Sequence, residues 1–82
     1  MQIPSDVMPL LVAKAKEMLE GYDGEGIDVW DSVMVNDVDG YDINVYQWDA
    51  DDDLSITVYE VKNLSTTDDY GVYQSITDEV LA

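Results

Sequence analysis

The alternation of apolar and polar side chains over residues 37–60 is the feature that most constrains the fold. Residues 42–48 and residues 54–61 each follow this alternation, and the acidic stretch Asp-Ala-Asp-Asp-Asp at 49–53 lies between them. Successive side chains of a strand point to opposite sides of a sheet, so each segment can turn its apolar residues toward a core. The pattern therefore predicts a β-hairpin of two antiparallel strands that is closed by an acidic turn.

The neighbouring segments predict further strands of the same sheet. Residues 27–36 alternate in the same way, although Asp31 interrupts the apolar parity and favours a bulge or bend at Asp31 and Ser32. The dipeptide Asp39-Gly40 is a strong hairpin signal between this strand and the next. After a polar loop, residues 70–76 predict a fourth strand.

The N-terminal part of the chain carries the helix signal. Residues 5–20 are rich in helix-forming side chains, with Ser5 placed to cap the first turn and Gly21 placed to end the last one. Residues 77–82 predict a short final helical turn that is capped by Thr77. Apolar side chains at helical spacing predict the face of the first helix that packs in the core, namely Val7, Leu11, Ala15, Met18 and Tyr22.

These elements together predict an α+β fold, with one N-terminal helix packed on an antiparallel meander of three or four strands. The 82 residues suffice for a single small domain, 1–82. One helix covers only one face of such a sheet, which leaves two arrangements open for the aromatic side chains. They either stand on the uncovered face, where Tyr and Trp suit a protein interface, or pack against the helix. The side chains concerned are Trp30, Tyr46, Trp48, Tyr59 and Tyr73.

The charge of the chain is strongly one-sided. Asp and Glu number 19 against 3 Lys, which gives a formal net charge of −16, and no basic residue occurs between Glu17 and Val61. Repulsion among these carboxylates opposes compaction, and high net charge is typical of disordered chains. The hydrophobic content of 46% and the strand-like alternation indicate a folded domain instead.

The residue types argue against catalysis and against a bound cofactor. Histidine and cysteine are both absent, so the serine hydroxyls have no imidazole base and there is no thiolate. A glycosidase-like carboxylate pair needs a cleft, for which so short a chain has little room. Four acidic residues match ligand positions of a calcium-binding loop, but Leu54 stands where that loop requires glycine, so no metal site is predicted. The four are Asp49, Asp51, Asp53 and Glu60.

The carboxylates form a candidate binding array. Residues on the same side of a strand lie ~6.7 Å apart, which is comparable with the spacing of neighbouring phosphates on a nucleic-acid strand. A compact body with a net charge of −16 can therefore compete with DNA for the lysines and arginines of a basic protein and associate with it rapidly. The candidate partner-binding residues are Asp28, Asp37, Asp39, Asp42, Asp49, Asp51, Asp52, Asp53, Glu60, Asp68 and Asp69, with Tyr46, Trp48 and Tyr59 as aromatic anchors.

In its small size, its lack of cysteine, its acid-only span and its acidic turn at 49–53, the chain resembles small proteins of phages and mobile elements that imitate DNA. This class includes many anti-CRISPR proteins, the uracil-DNA glycosylase inhibitor and anti-restriction decoys. The resemblance extends over the whole chain in size, charge and helix-plus-sheet layout, and an anti-CRISPR protein is the first choice within it. It implies that the partner is a nucleic-acid-binding protein such as a glycosylase, a restriction enzyme or a Cas effector. For a Cas effector, it implies a block of the basic DNA channel or of the protospacer-adjacent-motif site.

Two other functions stay open on the sequence. The same acidic surface would serve an immunity protein or antitoxin that neutralises a basic toxin, and an acidic composition also suits a structural domain of a salt-adapted organism. Direct binding to nucleic acid is not expected from so acidic a chain. No apolar run approaches the ~20 residues that span a bilayer, and the N-terminus lacks the basic region of a signal peptide. We therefore expect a cytoplasmic protein, located in the host cell if a phage encodes it.

Overall fold

The computed structural model describes residues 3–36, 39–61 and 73–82 of the chain. Their four strands form one antiparallel sheet with the strand order β1-β2-β3-β4. The N-terminal helix packs on one face of this sheet, which confirms the predicted α+β meander. The elements in chain order are α1 (Met8–Met18), β1 (Ile27–Met34), β2 (Gly40–Gln47), β3 (Ser55–Val61), β4 (Tyr73–Ser75) and α2 (Thr77–Leu81).

The hairpin between β1 and β2 begins earlier than the alternation predicted. The backbone N–H groups of Val35 and Asn36 both donate to the carbonyl of Asp39, at 3.0 and 3.2 Å. The side-chain oxygen of Asn36 in turn accepts from the backbone N–H of Asp39 at 2.9 Å. These bonds turn the chain after Met34, so β1 ends there and not at Asn36.

The predicted fourth strand is confirmed at Tyr73–Ser75, and residues 70–72 lie outside the described part of the chain.

The predicted bulge at Asp31 and Ser32 is wrong. The pairing of β1 with β2 is unbroken along the whole length of both strands. Asp31 lies opposite Ile43, on the side of the sheet that faces α1, and its Oδ2 is 3.0 Å from Nζ of Lys14 on that helix. Asp31 can therefore occupy a position on the apolar side of β1 without a bulge, because Lys14 of the helix places a positive charge beside it at the edge of the sheet.

The core lies between the two helices and the sheet face that they cover. The central strands contribute most of the fully buried side chains, with Ile43 and Val45 from β2 and Ile56 and Val58 from β3. Most of the predicted helix stripe is confirmed, because Val7, Leu11 and Ala15 are in the core and Met18 packs against it while partly buried. Its last member, Tyr22, lies beyond the end of α1 and outside this cluster. The buried cluster consists of Ile3, Val7, Leu11, Ala15, Tyr41, Ile43, Val45, Ile56, Val58, Ile76 and Val80.

The first helix begins at Met8, so Ser5 does not cap it. Val7 occupies the capping position without a side-chain hydrogen bond. The carbonyl of Pro4 instead accepts from the backbone N–H groups of Val7 and Met8, at 3.0 and 3.1 Å, and forms a turn that leads into the helix.

Neither helix in the described part of the chain has the length and apolarity needed to cross a membrane.

The final helix forms where the sequence predicted it, but Thr77 does not cap it. Ile76 occupies the capping position, and no side chain caps the helix there. The Thr77 hydroxyl oxygen accepts from the backbone N–H of Ile56 at 2.9 Å, while the Ile76 N–H donates to the Ile56 carbonyl at 2.9 Å. Thr77, which lies just beyond the end of β4, thus provides a hydrogen-bond acceptor for the backbone N–H group of Ile56 in β3. Its hydroxyl makes this bond instead of capping the helix.

The assignment of the α1 core face is testable with two neighbouring leucines. Leu11 is 0% exposed and Leu10 is 56% exposed. We expect Leu11→Ala to lower the free energy of unfolding by about 3 kcal/mol, because it removes buried methyl groups and leaves a cavity. Leu10→Ala should change it by less than about 0.5 kcal/mol. Urea unfolding followed by circular dichroism measures both values, and equal losses in the two variants would contradict the assigned face.

Candidate functional site

Exposed carboxylates gather at one end of the sheet. The loop between α1 and β1 meets the turn between β2 and β3 at this end, because Ile27 at the start of β1 pairs with Gln47 at the end of β2. The approach is close at Gly26, where a Cβ would lie 3.2 Å from the carbonyl oxygen of Trp48. We call this surface the acidic end, and it consists of Asp23, Glu25, Asp28, Asp49, Asp51, Asp52 and Asp53, all of which are exposed.

Hydrogen bonds hold the β2–β3 turn in one shape. The Asp49 carboxylate accepts from the backbone N–H of Asp51 at 2.9 Å, and the Asp49 carbonyl accepts from the backbone N–H of Asp52 at 3.1 Å. Asp49 therefore serves the turn itself. The carboxylates of Asp51, Asp52 and Asp53 are carried on this fixed turn and are exposed to solvent.

Gln47 links the two parts of the acidic end, although it was not among the residues predicted from the sequence. Its Nε2 donates to the carbonyl of Asp52 at 2.8 Å, and its Oε1 accepts from the hydroxyl of Tyr22 in the α1–β1 loop. Gln47 is buried although it is polar. The sequence did mark this position, because Gln47 is a polar residue at a place in the strand where the alternation calls for an apolar one, two residues after Val45.

Each strand places one aromatic side chain on the sheet face opposite α1. We call this surface the aromatic face, and its members are Trp30, Tyr46, Tyr59 and Tyr73. The rings of Trp30 and Tyr59 are 5.4 Å apart between centroids, and those of Tyr59 and Tyr73 are 5.8 Å apart. Trp30 is 51% exposed and Tyr73 is 67% exposed. Of the two arrangements that the sequence left open, the structure therefore has the aromatic side chains on the face that the helices do not cover.

Half of the predicted partner-binding residues lie together. The acidic end includes Asp28 and the four aspartates of the β2–β3 turn. Tyr46 is the pairing partner of Asp28 across the two strands, and Trp48 follows β2 directly and is 75% exposed. These two aromatic side chains thus border the acidic end on the side of the aromatic face.

The remaining predicted residues lie elsewhere. Asp42 is opposite Tyr59 in the middle of the aromatic face, but it is only 7% exposed, and its carboxylate accepts from the Ser32 hydroxyl at 2.6 Å. Asp39 and Glu60 lie at the opposite end of the sheet, where both line one shallow cleft. Burial raises the pKa of the Tyr41 hydroxyl in that cleft, and the nearby charge of Glu60 adds to the effect. The remaining candidates, Asp37, Asp68 and Asp69, lie outside the described residues.

The ion pairs of the described residues lie away from the acidic end. Both ion pairs found in the described residues involve Lys14 of α1, which lies 3.7 Å from Glu17 and 3.0 Å from Asp31. The hydrogen bond between Lys14 and Asp31 raises the pKa of Lys14 and lowers the pKa of Asp31. Neither pair includes a residue of the acidic end, so its charge is available to a partner.

The geometry offers no metal centre among residues 3–36, 39–61 and 73–82, where no three acidic side chains come close enough to hold an ion. The calcium-loop positions are split, because Asp49, Asp51 and Asp53 lie in the turn and Glu60 lies near the far end of β3.

Comparison of the chain with protein-family models, with curated proteins and with solved structures gave no match.

The ion pair between Lys14 and Asp31 makes a prediction about pH. The folded protein lowers the pKa of Asp31 below its ordinary value of 3.8, so the charged form stabilises the fold. We expect Asp31→Asn to be less stable than the unmodified protein at neutral pH. This difference should be complete above the ordinary pKa and should disappear as the pH falls through the lowered value.

Urea unfolding at a series of pH values from neutral to strongly acidic measures this difference. Asp53→Asn is the matched control, because it removes the same charge from the exposed turn, at a residue that takes part in neither of the described ion pairs. The control should show no such loss at neutral pH. A deficit in Asp31→Asn that persists unchanged at the most acidic pH would contradict the role of the ion pair.

Proposed function

We propose that this protein inhibits a nucleic-acid-binding protein by occupying the basic surface that would otherwise hold DNA. The acidic end is the observation that carries the proposal. Its seven carboxylates are exposed, and the described ion pairs leave them without a lysine. A duplex of DNA likewise presents its charge as a row of phosphates, at about one per 1.7 Å of axis.

The turn geometry favours tight binding as well as attraction. Backbone hydrogen bonds to Asp49 and the bond from Gln47 to Asp52 set the shape of the turn before any partner arrives. Less conformational freedom is then lost on association, which leaves more of the interaction energy as affinity. The net charge of −16 also speeds the encounter with a basic surface through electrostatic steering.

A Cas effector is the partner that we propose first within this class. The support for this choice is the resemblance to anti-CRISPR proteins in size, net charge, absence of cysteine and helix-plus-sheet layout. Such effectors hold a heteroduplex in a positively charged channel and can read the protospacer-adjacent motif with arginines. The acidic end would offer these cationic groups carboxylates in place of phosphates and so compete with target DNA.

Charge reversal in the turn provides the direct test. We expect Asp51→Lys with Asp52→Lys to weaken the inhibition of DNA binding by about tenfold or more, because two attractive charges become repulsive. Fluorescence anisotropy of labelled duplex DNA on the partner protein measures the concentration of inhibitor that displaces the DNA. The matched control is Asp6→Lys with Glu79→Lys, which changes the net charge equally at two exposed positions outside the acidic end. Equal weakening by both pairs would mean that net charge alone acts and that the acidic end has no special role.

The partner for this assay comes from capture on the immobilised protein, with washes of rising salt. The proposal expects one nucleic-acid-binding protein or complex, released by salt or by competing duplex DNA. Capture of a single basic toxin would replace the proposal with the immunity function. A chain that captures nothing at low salt and acquires its circular dichroism spectrum only at high salt would instead be the acidic domain of a salt-adapted organism.

A further inference from the structure

The aromatic face is a second surface that the acidic end does not account for. Its rings form a continuous row from β1 across to β4, with Trp30, Tyr59 and Tyr73 in contact at centroid distances of 5.4 and 5.8 Å. Large exposed apolar patches are uncommon on monomers and mark interaction sites, and Trp and Tyr dominate the binding energy at such sites. The aromatic face adjoins the acidic end, because its member Tyr46 pairs with Asp28.

The charges around this face determine the kind of partner that fits it. Asp28 borders it on β1, where Asn44 donates to its carboxylate at 3.2 Å. Asp42 is the pairing partner of Tyr59 and is largely buried. Lys14 and Lys16 belong to α1, which packs on the other side of the sheet. In the described part of the chain, the face thus combines aromatic rings with carboxylates, and the matching occupant is both cationic and able to stack on rings.

We infer that the aromatic face docks an arginine-bearing segment of the same basic partner, an inference that rests on the proposed function. A guanidinium group is planar and weakly hydrated, so it stacks on aromatic rings while it pairs with a carboxylate. A lysine ammonium group holds its water more strongly and has no flat surface to stack. Trp30 and Asp28 lie two residues apart on one side of β1, about 6.7 Å, so one arginine can contact both.

Charge selects this occupant over a second copy of the chain. Two copies would each bring a net charge of −16, and face-to-face docking would place Asp28 of each copy against the acidic border of the other. Such juxtaposed like charges strongly disfavour association. An arginine-bearing segment gains from the same carboxylates, so charge complementarity assigns the face to a basic partner.

The test uses oligo-arginine and oligo-lysine peptides of equal length as probes, titrated calorimetrically at physiological ionic strength. We expect the arginine peptide to bind about fivefold more tightly, in line with one or two stacking contacts. Trp30→Leu with Tyr73→Leu should abolish this preference, because leucine keeps an apolar side chain but removes the ring. Asp51→Lys with Asp52→Lys should weaken both peptides and leave their ratio unchanged.

Fluorescence supplies an independent readout of the same contact. The chain has 2 tryptophans, so Trp48→Phe leaves Trp30 as the one that reports. We expect the arginine peptide to change the Trp30 emission at concentrations where the lysine peptide does not. Circular dichroism verifies the fold of each variant, and Tyr73→Leu alone replaces the double variant if the loss of Trp30 unfolds the protein.

The possible failures are distinguishable. Equal binding of the two peptides, unaffected by the leucine variants but weakened by the lysine reversals, would overturn this inference and leave the proposed function standing. Binding of neither peptide would count against both. A dimer in analytical ultracentrifugation that the leucine variants dissociate would assign the face to a second copy and would also overturn the inference.

Discussion

Burial of one apolar layer between α1 and the central strands is the interaction on which the rest of the structure depends. The net charge of −16 opposes compaction, and the described ion pairs centre on a single lysine, Lys14. Leu11, Ile43 and Ile56 are fully buried in that layer. The fold tolerates the repulsion because the carboxylates of the acidic end stand in loops and at a strand end, where water and salt screen them. Packing of the apolar side chains thus stabilises the sheet, and the charged side chains of the acidic end lie where they do not interrupt that packing.

The local pattern predicted those parts of the fold that depend on one strand or one helix face at a time. Alternation placed all four strands, and helical spacing placed Leu11 in the core. Two of the errors arose where a partner distant in sequence changes the use of a side chain. Asp31 stays in register because Lys14 of the helix meets it. Thr77 does not cap the final helix because its hydroxyl oxygen accepts a hydrogen bond from the N–H group of Ile56.

The candidate site was predictable in its charge but not in its shape. The turn at 49–53 was evident from composition, whereas Asp23 and Glu25 join it only because the pairing of β1 with β2 brings their loop beside it. Alternation also could not say which side of the sheet the helix covers, because both parities carry apolar side chains. The helix packs on the side of the aliphatic residues, and the aromatic side chains are thereby left on the other.

Under the proposed function, the two kinds of surface on this small sheet would have different physical consequences. Carboxylates act over a distance of about 8–10 Å in physiological salt, so the acidic end would chiefly raise the rate of encounter with a basic surface. Aromatic contacts act only at van der Waals distance, are little affected by salt, and chiefly lower the rate of dissociation. A decoy that used charge alone would be displaced easily by DNA, which carries more charge. Contacts that DNA does not make in the same way, such as stacking of the partner's arginines on Trp30 and Tyr73, would allow a small body to hold a site against a much longer polyanion.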